Sequence, residues 1–393
     1  MAKVMKVLIL SFYYPPDIGP GALRAISIAE ALSETGNCKV EVWTTIPNRY
    51  KSFHVDTNAY KNKTNITVHR IKLPNHKNGK FDQAKAFIVY AKNIYKLSSN
   101  QDFDIIIATS SRLMTASLAA LISRKINSKL YLDIRDLFTD TLENLLQNNM
   151  SRILLPIFRK IEKWTFSKAD KISIVSEGFI PHLKNIIPNT KLNVFTNGID
   201  NEFLSFDFSK QNTEGLPLIL YAGNIGDGQG LHKIIPKAAK ALTGIVRFRI
   251  IGSGGREKEL KDMLSYYDVS NVEIINPIPR TELMLHYKQA DILFLHLNSF
   301  PAFKKVLPSK IFEYGAINKP IIAGVDGYAA DFLSKEIPSS KIFKPCDVES
   351  MLDLLDELLK YTNQPDNKNF CKLYARKVII NKMVKEIINM ERL

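Results

Sequence analysis

The chain alternates two hydrophobic rhythms over its first two hundred residues. Short β-branched runs occur at Val4–Ser11, Val40–Thr45, Ile66–Ile71, Asp104–Thr109, Lys129–Asp133, Lys171–Val175 and Leu192–Phe195. Several are apolar at consecutive positions, the pattern of strands buried on both faces of a parallel sheet. Between them the spacing predicts helices over Ala22–Thr35, Phe81–Leu97, Thr115–Ile126, Arg152–Ser167 and Gly178–Asn185. Such alternation predicts a doubly wound α/β domain. Ile46–Asn65 has no apolar rhythm and is expected to be a loop. The rhythm stops at Thr196-Asn197-Gly198-Ile199-Asp200, an Asn-Gly turn followed by a polar stretch up to Pro217. It restarts with strand Leu218–Ala222, helix Leu231–Leu242, strand Val246–Ile251, helix Glu257–Ser265 and strand Val272–Ile275. Helix Thr281–Gln289, strand Asp291–Leu297, helix Ser309–Ala316, strand Pro320–Ala323 and a last helical region over Lys368–Met390 follow. The expected organisation is one α/β domain over 1–200, a second over 201–370, and a closing helix over 371–393.

Composition narrows the class. With 393 residues, 45% of them apolar and 24% charged, the chain is an ordinary globular one, which excludes disorder, collagen-like repetition and coiled coil. No apolar run approaches the ~18 residues of a membrane-spanning helix. Pro15, Pro16 and Asp17 follow the first short run, which does not fit a signal peptide. Cys38, Cys346 and Cys371 are odd in number and far apart, so no disulfide framework or zinc site is expected and a cytoplasmic location is. Lys and Arg exceed Asp and Glu by 54 to 39, a formal charge of +15. No aromatic-basic interleaving or recognised module suggests nucleic acid as the partner. Two helices join cations to an apolar stripe instead. Arg152–Lys168 sets Leu154, Ile157, Phe158, Ile161 and Trp164 among Arg152, Arg159, Lys160 and Lys163, and Phe81–Leu97 carries Lys85, Lys92 and Lys96. Such helices either dock on an anionic membrane surface or pack inward with basic outer faces.

Ligands of open α/β sheets bind beyond the carboxyl ends of the strands, so the loops after strands are where chemistry is sought. After the first strand, the Pro-rich loop with Gly19 and Gly21 opens a helix. It either lets backbone N–H groups approach an anion or is a plain turn. Its spacing matches neither a Walker A loop nor a dinucleotide fingerprint. The sharpest signal is Leu307-Pro308-Ser309-Lys310-Ile311-Phe312-Glu313-Tyr314-Gly315. Ser309 stands at the helix cap, and Glu313 lies one turn on among apolar residues. A carboxylate there needs a partner, either a ribose diol or a basic side chain of the packed helix. The N–H groups of the helix start, with Lys310, suit a diphosphate. Glycine-rich loops after two strands, Gly223–Gly230 with Asn224 and Gln229, and Gly252-Ser253-Gly254-Gly255, allow close backbone approach to a ligand. At the end of a strand in the first half, Asp133, Arg135 and Asp136 either meet acceptor hydroxyls and an anion or form an Asp–Arg pair that fixes the loop. The seven histidines are scattered, and no His-x-x-x-His, Cys-x-x-Cys or Gly-x-Ser-x-Gly arrangement is present, so no metal site and no hydrolase triad is expected.

With its Pro-rich Gly19/Gly21 loop, Asn197-Gly198-Ile199-Asp200 hinge, two glycine loops, and the helix Pro308–Ala316 followed by Lys319-Pro320-Ile321-Ile322-Ala323, the chain resembles the GT-B glycosyltransferases of family 4 along essentially its whole length. Asn224 with Gln229, and Pro308-Ser309-Lys310 with Glu313-Tyr314, are similar to the bacterial branch that builds surface polysaccharides (O-antigen or capsule), including N-acetylfucosamine-type amino-sugar transferases. The resemblance implies two Rossmann-like domains facing across a cleft, with the last helix crossing back to the first. It implies retaining transfer from a nucleotide sugar, UDP-linked, to a lipid-linked saccharide, without metal or separate cofactor, at the inner face of the membrane. Glu313 would bind the ribose, with Gly19 and Gly21 near the diphosphate. Three positions depart from the family. Lys305 stands where many members have an acidic residue, Asn224 and Gln229 take the places of the usual Arg and Lys, and Arg135 aligns with a common active-site His. Lys304, Lys305, Lys310 and Arg135 are therefore the candidate cations for the donor. A sugar-nucleotide epimerase and a noncatalytic partner subunit are the competing expectations.

Overall fold

The structure is a computed structural model, and it describes residues 4–17, 19–47, 65–73, 80–110, 112–145, 149–209, 215–360 and 366–390. Most of the loop expected over Ile46–Asn65 lies outside the described residues. The chain divides into two compact units, residues 1–197 with 376–393, and residues 198–375. It passes into the second unit three residues before the boundary expected at 200, and leaves it between Ala375 and Arg376.

Unit 1 runs β1 (Met5–Leu10), α1 (Pro20–Glu34), β2 (Cys38–Thr45), β3 (Ile66–Ile71), α2 (Lys80–Leu97), β4 (Ile105–Ser110), α3 (Leu113–Ile126), β5 (Lys129–Ile134), α4 (Phe138–Leu145), α5 (Asn149–Ser167), β6 (Lys171–Ile174), α6 (Ile180–Ile186) and β7 (Leu192–Val194). Its seven strands are all parallel in the order β3-β2-β1-β4-β5-β6-β7. The consecutive apolar residues of β1 and β4 are fully buried because helices cover the sheet, so both side-chain orientations along a strand meet apolar partners. α4 has no counterpart in the sequence expectation.

Unit 2 runs α7 (Asn201–Ser205), β8 (Leu218–Ala222), α8 (Leu231–Ala241), β9 (Arg247–Ile251), α9 (Glu257–Tyr266), β10 (Val272–Ile275), α10 (Arg280–Gln289), β11 (Ile292–His296), α11 (Lys310–Ile317), β12 (Ile321–Gly324), α12 (Tyr328–Glu336), β13 (Ser340–Phe343), α13 (Val348–Leu359) and α14 (Lys368–Tyr374). The six strands are parallel in the order β10-β9-β8-β11-β12-β13. α12, β13 and α13 extend the sheet beyond the expected elements. Asp347 caps α13 by accepting a hydrogen bond from the Ser350 N–H. The expected closing helix is two helices, broken at Ala375, whose backbone is extended and bridges Ile199. α15 (Arg376–Ile388) then packs on α1 in unit 1, burying Ile380, Met383, Val384 and Ile387.

Polar groups inside unit 1 lock this topology. Arg24 of α1 and Asp133 of β5 are both wholly buried and form a two-pronged pair at 2.6 and 2.8 Å. Arg24 also donates to the carbonyls of Phe195 and Thr196, and Asp133 accepts from Thr109 and Ser173. Burial alone would raise the Asp133 pKa, but the charge and hydrogen bonds of Arg24, with the Thr109 hydroxyl, hold it below the ordinary carboxylate value. A second network joins His182 to Asp140 at 3.1 Å and to Glu162 at 3.4 Å, with Thr139 donating to Glu162. Burial opposes a charge on His182, but the two carboxylates outweigh it and raise its pKa to about 9.

The units differ in charge. Unit 1 carries 33 Lys and Arg against 17 Asp and Glu, a formal +16, whereas unit 2 carries 21 against 22, or −1.

Candidate functional site

The strand order reverses direction in unit 2 at the neighbours β8 and β11, and the loops at that point are where an open sheet takes its ligand. After β8, the loop from Gly223 packs directly against the loop after β9. The N–H of Gly223 bonds to Ile251 O and the N–H of Ile225 to Ser253 O. A Cβ on Gly252 would overlap the Gly223 carbonyl, so only glycine allows this approach. Asn224 donates through Nδ2 to Gln229 Oε1 at 2.8 Å, a neutral pair across the mouth of the loop.

α11 brings the charge. Its first residue, Lys310, lays its side chain along the same loop, where a Cβ on Gly223 would meet Nζ at 2.7 Å. Burial lowers the Lys310 pKa, while Glu313 acts to raise it. Ser309 occupies the cap position, but its backbone is helical and its hydroxyl makes no cap bond; instead the N–H groups of Ile311 and Phe312 bond back to the carbonyls of Pro308 and Ser309, so they are already engaged rather than left for an anion. Glu313 is 22% exposed, and among the described residues its carboxylate has one approach, Arg280 Nη2 at 4.0 Å. Arg280 is engaged more closely by Asp200 and Glu202. The packed-helix alternative for Glu313, a basic partner, is met only at ion-pair distance, since Arg280 lies at 4.0 Å.

Behind the loop, His296 at the end of β11 is buried and neutral. Its Nδ1 bonds to Gln229 O at 2.6 Å, and its Nε2 accepts from the Cys346 N–H at 2.9 Å. Burial pushes its pKa down to about 4. Asn298 bonds to Asp227 O, Lys233 Nζ and the Ser299 N–H, which ties the loop after β8 to the one after β11. Arg280, His296 and Asn298 are absent from the sequence expectation. The available signal was position, since His296 ends a strand and Arg280 and Asn298 follow strands at the sheet edge that carries Gly223 and Gly252.

The remaining expected residues separate. Lys304 is exposed and pairs with Asp326 at 2.7 Å. Lys305 ends the short 3-10 turn Pro301–Lys305, half-buried. In unit 1, Asp133 is withdrawn into the sheet by Arg24, which corrects its expected contact with an acceptor. The Asp–Arg alternative holds, but with Arg24 rather than Arg135. Asp136 is exposed. Arg135 lies over the start of α1, where a Cβ on Gly21 would meet Nη1 at 2.6 Å. Its Nε is buried and has no hydrogen-bond partner among the described residues. Gly19, the cap residue of α1, has φ 150°.

The two basic helices of unit 1 show apolar residues to solvent. On α5, Glu162, Thr165 and Phe166 face inward, whereas Ile157 is 51% exposed beside exposed Arg159, Lys160 and Lys163. The Arg152 side chain lies outside the described residues. On α2, Ile88, Tyr95 and Leu97 are exposed with Lys85, Lys92 and Lys96. Both helices pack on α3. No helix among the described residues is long and apolar enough to cross a membrane, and no three His, Cys, Asp or Glu side chains there are grouped to hold a metal.

Comparison with known proteins agrees with this architecture. Residues 204–378 match the family model described as Glycosyl transferases group 1. A stretch of 111 residues is 27% identical to WcaI of Escherichia coli K12, which is named for colanic acid biosynthesis glycosyl transfer, and it spans 28% of this chain and 27% of WcaI's length. The crystal structure of Anabaena Alr3699/HepE in complex with UDP and glucose superposes with a TM-score of 0.70 at 14% identity, over 98% of this chain and 99% of that one. WaaG, a glycosyltransferase of lipopolysaccharide biosynthesis, superposes at 0.67 and 13% identity, over 97% and 99%. The chain has the two-domain Rossmann-like fold of GT-B glycosyltransferases.

Proposed function

We propose that this chain is a group 1 glycosyltransferase. It transfers an N-acetylated amino or deoxyamino sugar, with retention, from a UDP-linked donor to a lipid-linked saccharide in surface polysaccharide synthesis. The observation that carries the proposal is Glu313, a carboxylate in an apolar helix whose nearest ion-pair partner, Arg280, stands at 4.0 Å and is held by other acids, with Lys310 feeling its charge from the same helix. A ribose diol supplies two hydroxyl donors to such a group. The UDP bound to HepE and the polysaccharide role in WcaI's name support the donor and the pathway.

Lys310, at the start of α11, takes the diphosphate and supplies the charge that the neutral Asn224–Gln229 pair lacks. In unit 1, Arg135 above the start of α1 is a second anion-binding group. In the transfer, the bond from the sugar's anomeric carbon to the diphosphate oxygen breaks. The acceptor hydroxyl oxygen bonds to that carbon on the same face, and its proton passes to the departing oxygen. Cations stabilise the charge that builds on the diphosphate. Unit 1 takes the acceptor, and the basic outer sides of α2 and α5 hold it on anionic lipid at ~1 kcal/mol per nearby Lys or Arg.

The test is a panel of nucleotide sugars on the purified protein, read by melting temperature and by release of free UDP. UDP and at least one UDP-N-acetylhexosamine should raise the melting temperature, and that donor should be hydrolysed slowly without acceptor. Stabilisation without any turnover would make the chain a noncatalytic subunit, and stabilisation by no nucleotide would overturn the proposal.

A further inference from the structure

Three carboxylates of unit 2 surround the guanidinium of Arg280, the first residue of α10. Nη2 lies 2.5 Å from Asp200 Oδ2, Nε lies 2.8 Å from Glu202 Oε2, and Nη2 faces Glu313 Oε1 at 4.0 Å. The ring of Phe203 lies 5.0 Å from the same group. Asp200 is the cap residue of α7 and Glu202 stands in its first turn, so two donors of Arg280 are committed to α7. Glu313 receives the charge of Arg280 without a hydrogen bond, because 4.0 Å is beyond hydrogen-bond reach.

We infer that Arg280 is a positioning residue for the nucleotide ribose: held by Asp200 and Glu202, it fixes the Glu313 carboxylate by charge while leaving both oxygens to a 2′,3′-diol. This rests on the reading of Glu313 as the ribose ligand. Removing Arg280 leaves three like charges converging on one half-buried place, and their repulsion turns Glu313 out of position. Loosening its hold on α7 has the same consequence by the opposite route. Arg280 is then able to close on Glu313 in a two-pronged pair and compete with the diol.

The experiment measures binding of UDP and of 2′-deoxy-UDP to the full chain by titration calorimetry. The wild type should prefer UDP by about tenfold or more, the worth of a hydrogen bond to a charged group. Glu313→Gln and Arg280→Gln should both bring that preference to within about twofold of unity. Arg280→Lys, which keeps the charge, should restore part of it. Glu202→Gln should lower it about threefold. A general structural role for Arg280 would weaken both nucleotides equally and leave the ratio unchanged. If the wild type binds neither nucleotide or shows no preference, the Glu313 reading falls and this inference with it. If Glu313→Gln loses the preference and Arg280→Gln keeps it, the inference alone is overturned. Should Arg280→Gln fail to fold, Glu202→Gln decides, and an undiminished preference there overturns the inference.

Discussion

Each unit ties a histidine into a hydrogen-bond network, and the two networks hold opposite charge states. In unit 1, His182 lies between Asp140 and Glu162 and is protonated at neutral pH. In unit 2, His296 donates to one backbone carbonyl and accepts from one backbone N–H, which requires a neutral ring. The contrast extends through both interiors. Unit 1 uses ionised pairs as internal struts, Arg24 with Asp133 foremost. Unit 2 holds its sheet edge with neutral groups, His296 and Asn298, and, with Arg280 taken up by Asp200 and Glu202, leaves Lys310 and Glu313 at the loops. Charges consumed by internal pairing are unavailable to a ligand. That contrast is why the proposed nucleotide site falls in unit 2 although its net charge is near zero.

The most severe way to break the comparison is Asp133→Ala. It strands Arg24 in the interior and should destabilise unit 1 by about 3–5 kcal/mol. Denaturant unfolding should show an early transition for unit 1, while UDP still protects unit 2; a single unshifted transition would contradict the strut.

The histidines predict opposite pH responses. The His182 pKa is raised in the folded state, so its contribution is complete below about 6.5 and is lost as pH rises towards about 9. The His296 pKa is lowered, so its contribution is complete above about 6.5 and is lost as pH falls towards about 4. Each shift is worth roughly 3 kcal/mol. Melts from pH 4 to 10 should show His182→Gln flattening the alkaline limb and His296→Gln the acid limb.

Glu313→Gln sharpens the functional side of the contrast. It should weaken UDP binding by about tenfold to a hundredfold, the loss of hydrogen bonds to a charged acceptor, with the melting temperature of the unliganded protein nearly unchanged. Unaltered UDP binding in calorimetry would remove Glu313 from the site. The smallest effect is expected at the surface. Lys160→Glu with Lys163→Glu should weaken flotation with anionic liposomes at low salt, and 0.5 M salt should abolish the difference. Binding that ignores both charge and salt would leave α5 a packing helix.

Much of this was legible locally. Consecutive apolar residues in Ile105–Ala108 need cover on both faces, so a parallel sheet between helices follows from composition along a few residues. The glycine after β9 and the acid inside α11 likewise announce a backbone approach and a carboxylate that needs a donor. The elements from α12 to α13 were less legible, since the edge strand Ser340–Phe343 is only partly buried and shows little hydrophobic contrast.

Hydrophobic period, caps and breakers act over a handful of residues, so the alternation of elements, the two α/β halves and the helix that carries Lys310 and Glu313 can be read from the chain alone. Which charges are spent depends on how the chain folds. Asp133 is neutralised by Arg24, 109 residues away, Lys304 by Asp326, and Arg280 by Asp200 and Glu202, while Glu313 keeps its oxygens. The reason is that an ion pair depends on separation in space, which the fold sets between residues remote in the chain.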